Sequence, residues 1–269
     1  MTRRTQFLIS SFISVFSLPL LYALSSQLHI PLNTILVFWF VIATLVLVYV
    51  IERSYRFPEQ LVFAVLPFLF LVTLLVVTLR FNLLAWSTFS VVWIVVYGVA
   101  GFLMYVLFLS LNIVNAATVR TVPLLKAAQT TLLVFSLVLA VFWSLYIQMS
   151  VIHVVLAGWL WFVFSYLLCL AVVYLGQVEV VREFTGVIRV PFIEAFTVAV
   201  LQAYLVLATS GWHMTGAIRT IYWVSALAVM IMLIRARRQR TLSKKMIREF
   251  TLLQWAIFIA VLIGGVRFG

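Results

Sequence analysis

The chain has 269 residues, 66% of them hydrophobic and 9% charged, with a net charge of +12 and no aspartate. A water-soluble domain carries about 25% charged residues, so water is not the solvent for most of this surface, and the composition reads as a multi-pass membrane protein. The positive charge flanks apolar runs instead of forming a solvated face, which points to anionic lipid headgroups and away from nucleic acid.

A membrane crossing needs about 20 apolar residues for a hydrocarbon core of roughly 30 Å. Nine stretches qualify, joined by short connections, with no polar region left for a soluble domain. The expected fold class is all-α: a polytopic integral membrane helical bundle forming one transmembrane domain over residues 1–269.

Arg3 and Arg4 precede the first span, 7–28. Ala23 and Ser25 near its end would suit signal-peptide cleavage, but the run is long enough to cross, so a retained helix kinked at Pro19 is expected. His29-Ile30-Pro31 reverses the chain into span two, 32–51. A charged loop leads to span three, 60–79, with Pro67 inside it, and Arg80-Phe81-Asn82 closes that hairpin. Span four, 84–111, exceeds what a bilayer requires. A polar interruption follows at 112–129, NIVNAATVRTVPLLKAAQ.

From Ala127 to Val178 there is no charged residue. At about 1.5 Å per residue this is too long for one crossing, so it must turn at Gln148-Met149-Ser150, giving span five, 124–147, and span six, 151–175. A second polar loop, 176–190, leads to span seven, 192–209, and Gly211-Trp212-His213 turns the chain into span eight, 217–234. The strongest basic segment, 235–249, precedes the last span, 250–266.

Cytoplasmic loops retain positive charge. With the N-terminus inside, all 18 Lys and Arg except Arg80, Arg219 and Arg267 fall on the cytoplasmic side, so the expected topology is N-in, C-out. Pro58, Pro123 and Pro191 each begin an outward-running helix shortly after an Arg (Arg56, Arg120 and Arg189). Proline suits a first helical turn, where its missing N–H is no loss, and the Arg before it can reach lipid phosphate. The recurrence hints at a repeated helical hairpin, although any membrane protein needs such helix starts.

Few residues offer chemistry. His29, His153 and His213 fall on the outer face, but no acidic residue accompanies them, so interfacial histidines are favoured over a metal site. The lone Cys169 reads as a small core residue. Glu179 and Glu183 are spaced to share a helix face, yet Arg182 and Arg189 nearby favour a solvated ion-pair loop over acid–base work. There is no phosphate loop, no GxSxG and no HExxH, and no Asp to hold magnesium as aspartate-rich prenyl transferases do. No catalytic residue, cofactor or metal is expected.

Lys126 and Glu194 each lie three residues after a helix-starting proline and would pair if spans five and seven are neighbours. Gln129, Thr130, Thr131, Ser136 and Gln202 either line a cleft or bond between helices, with interhelical bonding favoured. Gly98 and Gly101 allow close approach in span four. Trp86, Trp143, Trp212 and Trp223 read as an interfacial aromatic belt. In 235–249, Leu242, Met246, Ile247 and Phe250 oppose Lys244, Lys245 and Arg248. That spacing suits a short amphipathic helix on the anionic inner leaflet, and equally ordinary retention of the flanking spans.

The segment Asn115-Ala116-Ala117-Thr118-Val119-Arg120-Thr121-Val122-Pro123-Leu124 resembles a stretch of an uncharacterised family of polytopic membrane proteins from candidate-phylum bacteria. The resemblance implies a bacterial cytoplasmic membrane and carries no activity with it. The expected function is a non-enzymatic membrane-embedded subunit or assembly platform. Its basic residues Arg120, Arg189, Arg235, Arg237, Arg238, Arg240, Lys244, Lys245 and Arg248 would meet anionic lipid or membrane-protein partners. A carrier or flippase for a lipid-like substrate is the next reading, with a cleft lined by Gln129, Thr130 and Gln202. An enzyme on lipid-linked substrates is third.

Overall fold

In hydrocarbon every backbone polar group must find its partner within the chain, so a long apolar run becomes a helix. The computed structural model describes residues 3–28, 31–54, 60–80, 91–117, 123–150, 153–177, 190–212 and 214–265, and among these every regular element is an α-helix. They are α1 (Arg3–Leu28), α2 (Leu32–Ser54), α3 (Gln60–Arg80), α4 (Val91–Ala117), α5 (Leu125–Met149), α6 (Val154–Gly176), α7 (Phe192–Thr209), α8 (Gly216–Arg238) and α9 (Lys244–Gly265). Eight are long and apolar enough to cross a membrane; in α2 the corresponding apolar stretch is the shorter Thr34–Leu47. The fold is the expected polytopic helical bundle.

Several boundaries differ from the sequence reading, each for a local reason. The polar interruption at 112–129 is largely helical: α4 continues through Ala117 and α5 starts at Leu125. Nothing between Asn112 and Ala117 forbids a helix, and Pro123 is the first residue that does. The basic segment 235–249 is not a separate interfacial helix. Its first residues complete α8 and its last open α9, with a turn between.

The chain forms two compact units, Met1–Leu132 and Leu133–Gly269, with the boundary inside α5. In the first, α1 packs against both α2 and α4, and α3 closes on α2 and α4. The face of α1 that meets them carries the buried Ser10, Ser11 and Ser14. Ser11 and Ser14 return their hydroxyls to carbonyls one turn back, which satisfies them without a partner helix. Trp39 of α2 donates its indole N–H to the Ser14 carbonyl at 3.1 Å. Thr78 of α3 and Tyr97 of α4 share a buried hydrogen bond of 3.0 Å.

In the second unit α6 is the centre. It packs closely along α7 and also against α8, while α7 meets α8 and α8 meets α9. From Leu168 to Gln177 every residue of the chain is buried, whichever face of α6 it occupies. A helix apolar all round is one wrapped by neighbours. By contrast α9 is nearly bare: 6% of its span is buried, against 33% to 56% in the other spans.

Polar side chains knit this unit together. Gln148 of α5 donates to Thr220 of α8 at 2.8 Å and to Ser144 at 3.0 Å. Trp161 of α6 donates to Gln202 of α7 at 2.9 Å. Trp223 of α8 donates to Thr209 of α7 at 2.9 Å. Trp223 is 2% exposed, so it belongs to the core and not to the expected aromatic belt. Trp212 stays partly exposed against Phe258, and Trp86 lies outside the described residues.

Candidate functional site

Among the described residues, the charged side chains of the second unit other than Arg219 gather where α6 ends, α7 begins, α8 ends and α9 begins. The chain builds this end with caps. α6 stops at Gly176, and Gln177 closes it: its N–H bonds the Tyr174 carbonyl at 3.0 Å and its side-chain amide the Val173 carbonyl at 3.2 Å.

At the end of α8, Thr241 N–H reaches back to the Ala236 carbonyl at 2.9 Å and Arg240 N–H to the Arg237 carbonyl at 3.2 Å. This pair of bonds is the Schellman arrangement, which requires a left-handed residue between them. Arg240 fills that position, with φ 56°. α9 is then opened by Ser243, whose hydroxyl accepts the Met246 N–H at 3.1 Å, the ordinary serine N-cap.

Glycine is the usual occupant of a left-handed cap because a Cβ there costs about 1–2 kcal/mol. Arg240→Gly should therefore raise the stability of this hairpin by about 1 kcal/mol. Denaturation in detergent micelles would register it, and a variant less stable than the parent would contradict the cap assignment.

Across the helices, Arg238 of α8 forms an ion pair with Glu194 in the first turn of α7. Gln239 donates its side-chain amide to the Gly176 carbonyl at 2.9 Å. Arg235 lies over the same glycine: its Nε is 2.6 Å from where a Cβ at position 176 would stand. Arg238 and Arg235 are half-buried, whereas Arg237, Arg240, Lys244, Lys245 and Arg248 are exposed. Glu249, exposed beside them, meets Lys245 at 3.9 Å in the open, a contact worth well under about 1 kcal/mol.

Of the residues singled out from sequence, the structure thus brings Arg235, Arg237, Arg238, Arg240, Lys244, Lys245, Arg248 and Glu194 to one end of the second unit. Lys126 is exposed on the first turn of α5, in the stretch belonging to the first unit; its pairing with Glu194 stays an expectation. Arg120 and Arg189 lie outside the described residues, as do His29, His213, Glu179 and Glu183. His153 caps α6, its Nδ1 accepting the Val155 N–H at 3.4 Å. Among the described residues no three His, Cys, Asp or Glu side chains come together as metal ligands would.

Gln202, proposed from sequence as cleft lining or helix glue, is fully buried. Its oxygen holds Trp161 and its amide faces the Met230 sulfur at 3.7 Å. Thr130 and Thr131 bond their own helix, to the Lys126 and Ala127 carbonyls. Two contributors escaped the sequence reading. The role of Gly176 has no local signal, and Gln239 was readable only as a helix-end residue.

Helices of this length and apolarity define a multi-pass membrane protein. Compared with known proteins, the chain matches no family model, no curated protein and no solved structure.

Proposed function

We propose that this protein is a non-enzymatic, membrane-embedded subunit or assembly platform. Its N-terminus and its α8–α9 turn face the cytoplasm of a bacterial inner membrane, as the distribution of Lys and Arg between the two sides favours. The supporting observation is the α8–α9 turn itself, where Arg237, Arg240, Lys244, Lys245 and Arg248 are all exposed around a backbone fixed by two caps.

The cations at the end of α8 suit its dipole, but Lys244 and Lys245 occupy the first turn of α9, which carries no acidic residue. Cations at a helix N-terminus are disfavoured by about 0.3–1 kcal/mol each. A chain that retains them there holds a concentrated positive field, and such a field attracts anionic partners and anionic leaflets alike. A local rule broken in this way is expected at functional positions. Gln202, which a carrier would need on a cleft wall, is instead bonded within the core, and this weighs for the platform over the carrier.

The test is native mass spectrometry on protein released gently from its own membrane. A stoichiometric protein partner is expected, lost when Lys244, Lys245 and Arg248 are changed together to Gln. A lone chain holding one defined apolar molecule would favour a carrier and end the platform reading.

A further inference from the structure

We propose that Arg235 is the anchor of a phosphate-binding site at this end of the second unit, occupied by the headgroup of an anionic phospholipid. Three observations converge on it.

The first is an unmet requirement. A guanidinium offers five N–H donors and no acceptor, and it stays charged in any protein setting. Arg235 is half-buried, yet among the described residues none of its side-chain donors has a hydrogen-bond or ion-pair partner. The two nearest acceptors described are turned to other donors: Glu194 pairs with Arg238 and the Gly176 carbonyl accepts from Gln239. A desolvated charge without a counter-ion is costly, so an anion is its natural complement.

The second is a built seat. At Gly176 the backbone is not in the left-handed region, so glycine is not there for conformational freedom. What it provides is room. Besides Nε at 2.6 Å, Arg235 Cζ and Nη2 would lie 3.2 and 3.3 Å from a Cβ at that position, so the whole guanidinium rests on the glycine. Any side chain at 176 would lift it away.

The third is position. Gly176 ends one membrane-crossing helix and Arg235 stands in the last turn of another. The pair therefore lies at the level where lipid phosphates lie, and Arg237, Arg240 and Lys244 stand exposed nearby to raise the local anion concentration. A phosphate diester matches the planar fork of the guanidinium. The carboxylates of a partner protein would have to reach the same level through the headgroups, which favours lipid. The proposal rests on membrane embedding and not on the platform role, so a chain without any protein partner would still bind.

The experiment is native mass spectrometry of the detergent-purified chain titrated with phosphatidylglycerol, phosphatidylcholine or inorganic phosphate. The wild type should retain one phosphatidylglycerol in preference to phosphatidylcholine. Arg235→Gln should weaken that binding about ten-fold, the scale of one charge-assisted contact, and Lys245→Gln much less. Gly176→Ala leaves the charge unchanged while displacing the guanidinium. It should weaken binding as well, which a diffuse electrostatic attraction would not do, and it carries the test if the Gln variant misfolds. Equal retention of the two lipids, or wild-type binding in Gly176→Ala, overturns the site. Displacement of the lipid by inorganic phosphate at comparable concentration would assign the site to free phosphate and overturn the lipid assignment.

Discussion

Trp161→Ala should be among the most damaging single changes in the second unit, lowering its stability by about 3–5 kcal/mol. The indole is completely buried, and three helices use it. It stands on α6, donates to Gln202 of α7 at 2.9 Å, and lies against Trp223 of α8 with ring centroids 5.7 Å apart. On its own helix it stacks on Phe164 at 5.6 Å, and Phe164 in turn stacks on Trp143 of α5 at 5.4 Å. Lipid is as apolar as the core, so burial from water contributes little to holding these helices together. What truncation removes is packing, which a bilayer cannot restore inside a closed bundle. It also leaves the Gln202 oxygen without its donor, worth about 1–3 kcal/mol of the total. Trp161→Phe keeps most of the volume but loses the N–H and part of the ring, leaving the same Gln202 oxygen without its donor, so it should cost about 1–3 kcal/mol. Equilibrium unfolding in mixed micelles separates the two variants. If the Ala variant lies within about 1 kcal/mol of the wild type, Trp161 is not the pivot of this unit.

The spans were legible in sequence because length and apolarity are properties of the chain alone. Which face of each helix is buried was not. In water the core face announces itself by contrast with a polar face, but here both faces are apolar and the contrast vanishes. Trp223 therefore read as part of an interfacial aromatic belt, although it is bonded to Thr209 in the interior. The turn after α8 was hidden for another reason. Its left-handed position holds Arg240 where a glycine would have marked a helix end, so the apolar spacing through Leu242, Met246 and Ile247 looked continuous. Ser243 was the one readable sign of a helix start. At the charged end the cations were evident from sequence, but not the choice of Arg238 to meet Glu194 or the contact of Arg235 with Gly176. Those contacts depend on how α6, α7 and α8 pack side by side, which no local pattern encodes.

The glycines of α4 carry the second large effect, in the first unit. The sequence marks Gly98 and Gly101 together as places for close approach, and the structure separates them. A Cβ on Gly101 would stand 3.1 Å from two ring carbons of Phe12 on α1, whereas one on Gly98 would meet nothing within 4 Å. Gly101→Leu must therefore push Phe12 aside. Phe12 stacks on Phe16 at 5.6 Å, Phe16 leans on Tyr97 at 6.3 Å, and Tyr97 is fully buried with its hydroxyl bonded to Thr78. The displacement thus runs from the α1–α4 contact toward the α3–α4 contact, and overpacking of this kind costs about 1–3 kcal/mol. Gly98→Ala meets no obstacle, and it replaces a poor helix former with the best one. It should leave the unit unchanged or stabilise it by up to about 1 kcal/mol. Unfolding both variants under the same micellar conditions gives opposite signs if helix proximity at Gly101 governs this interface. Equal effects at the two positions would mean that α1 and α4 are not held at glycine distance.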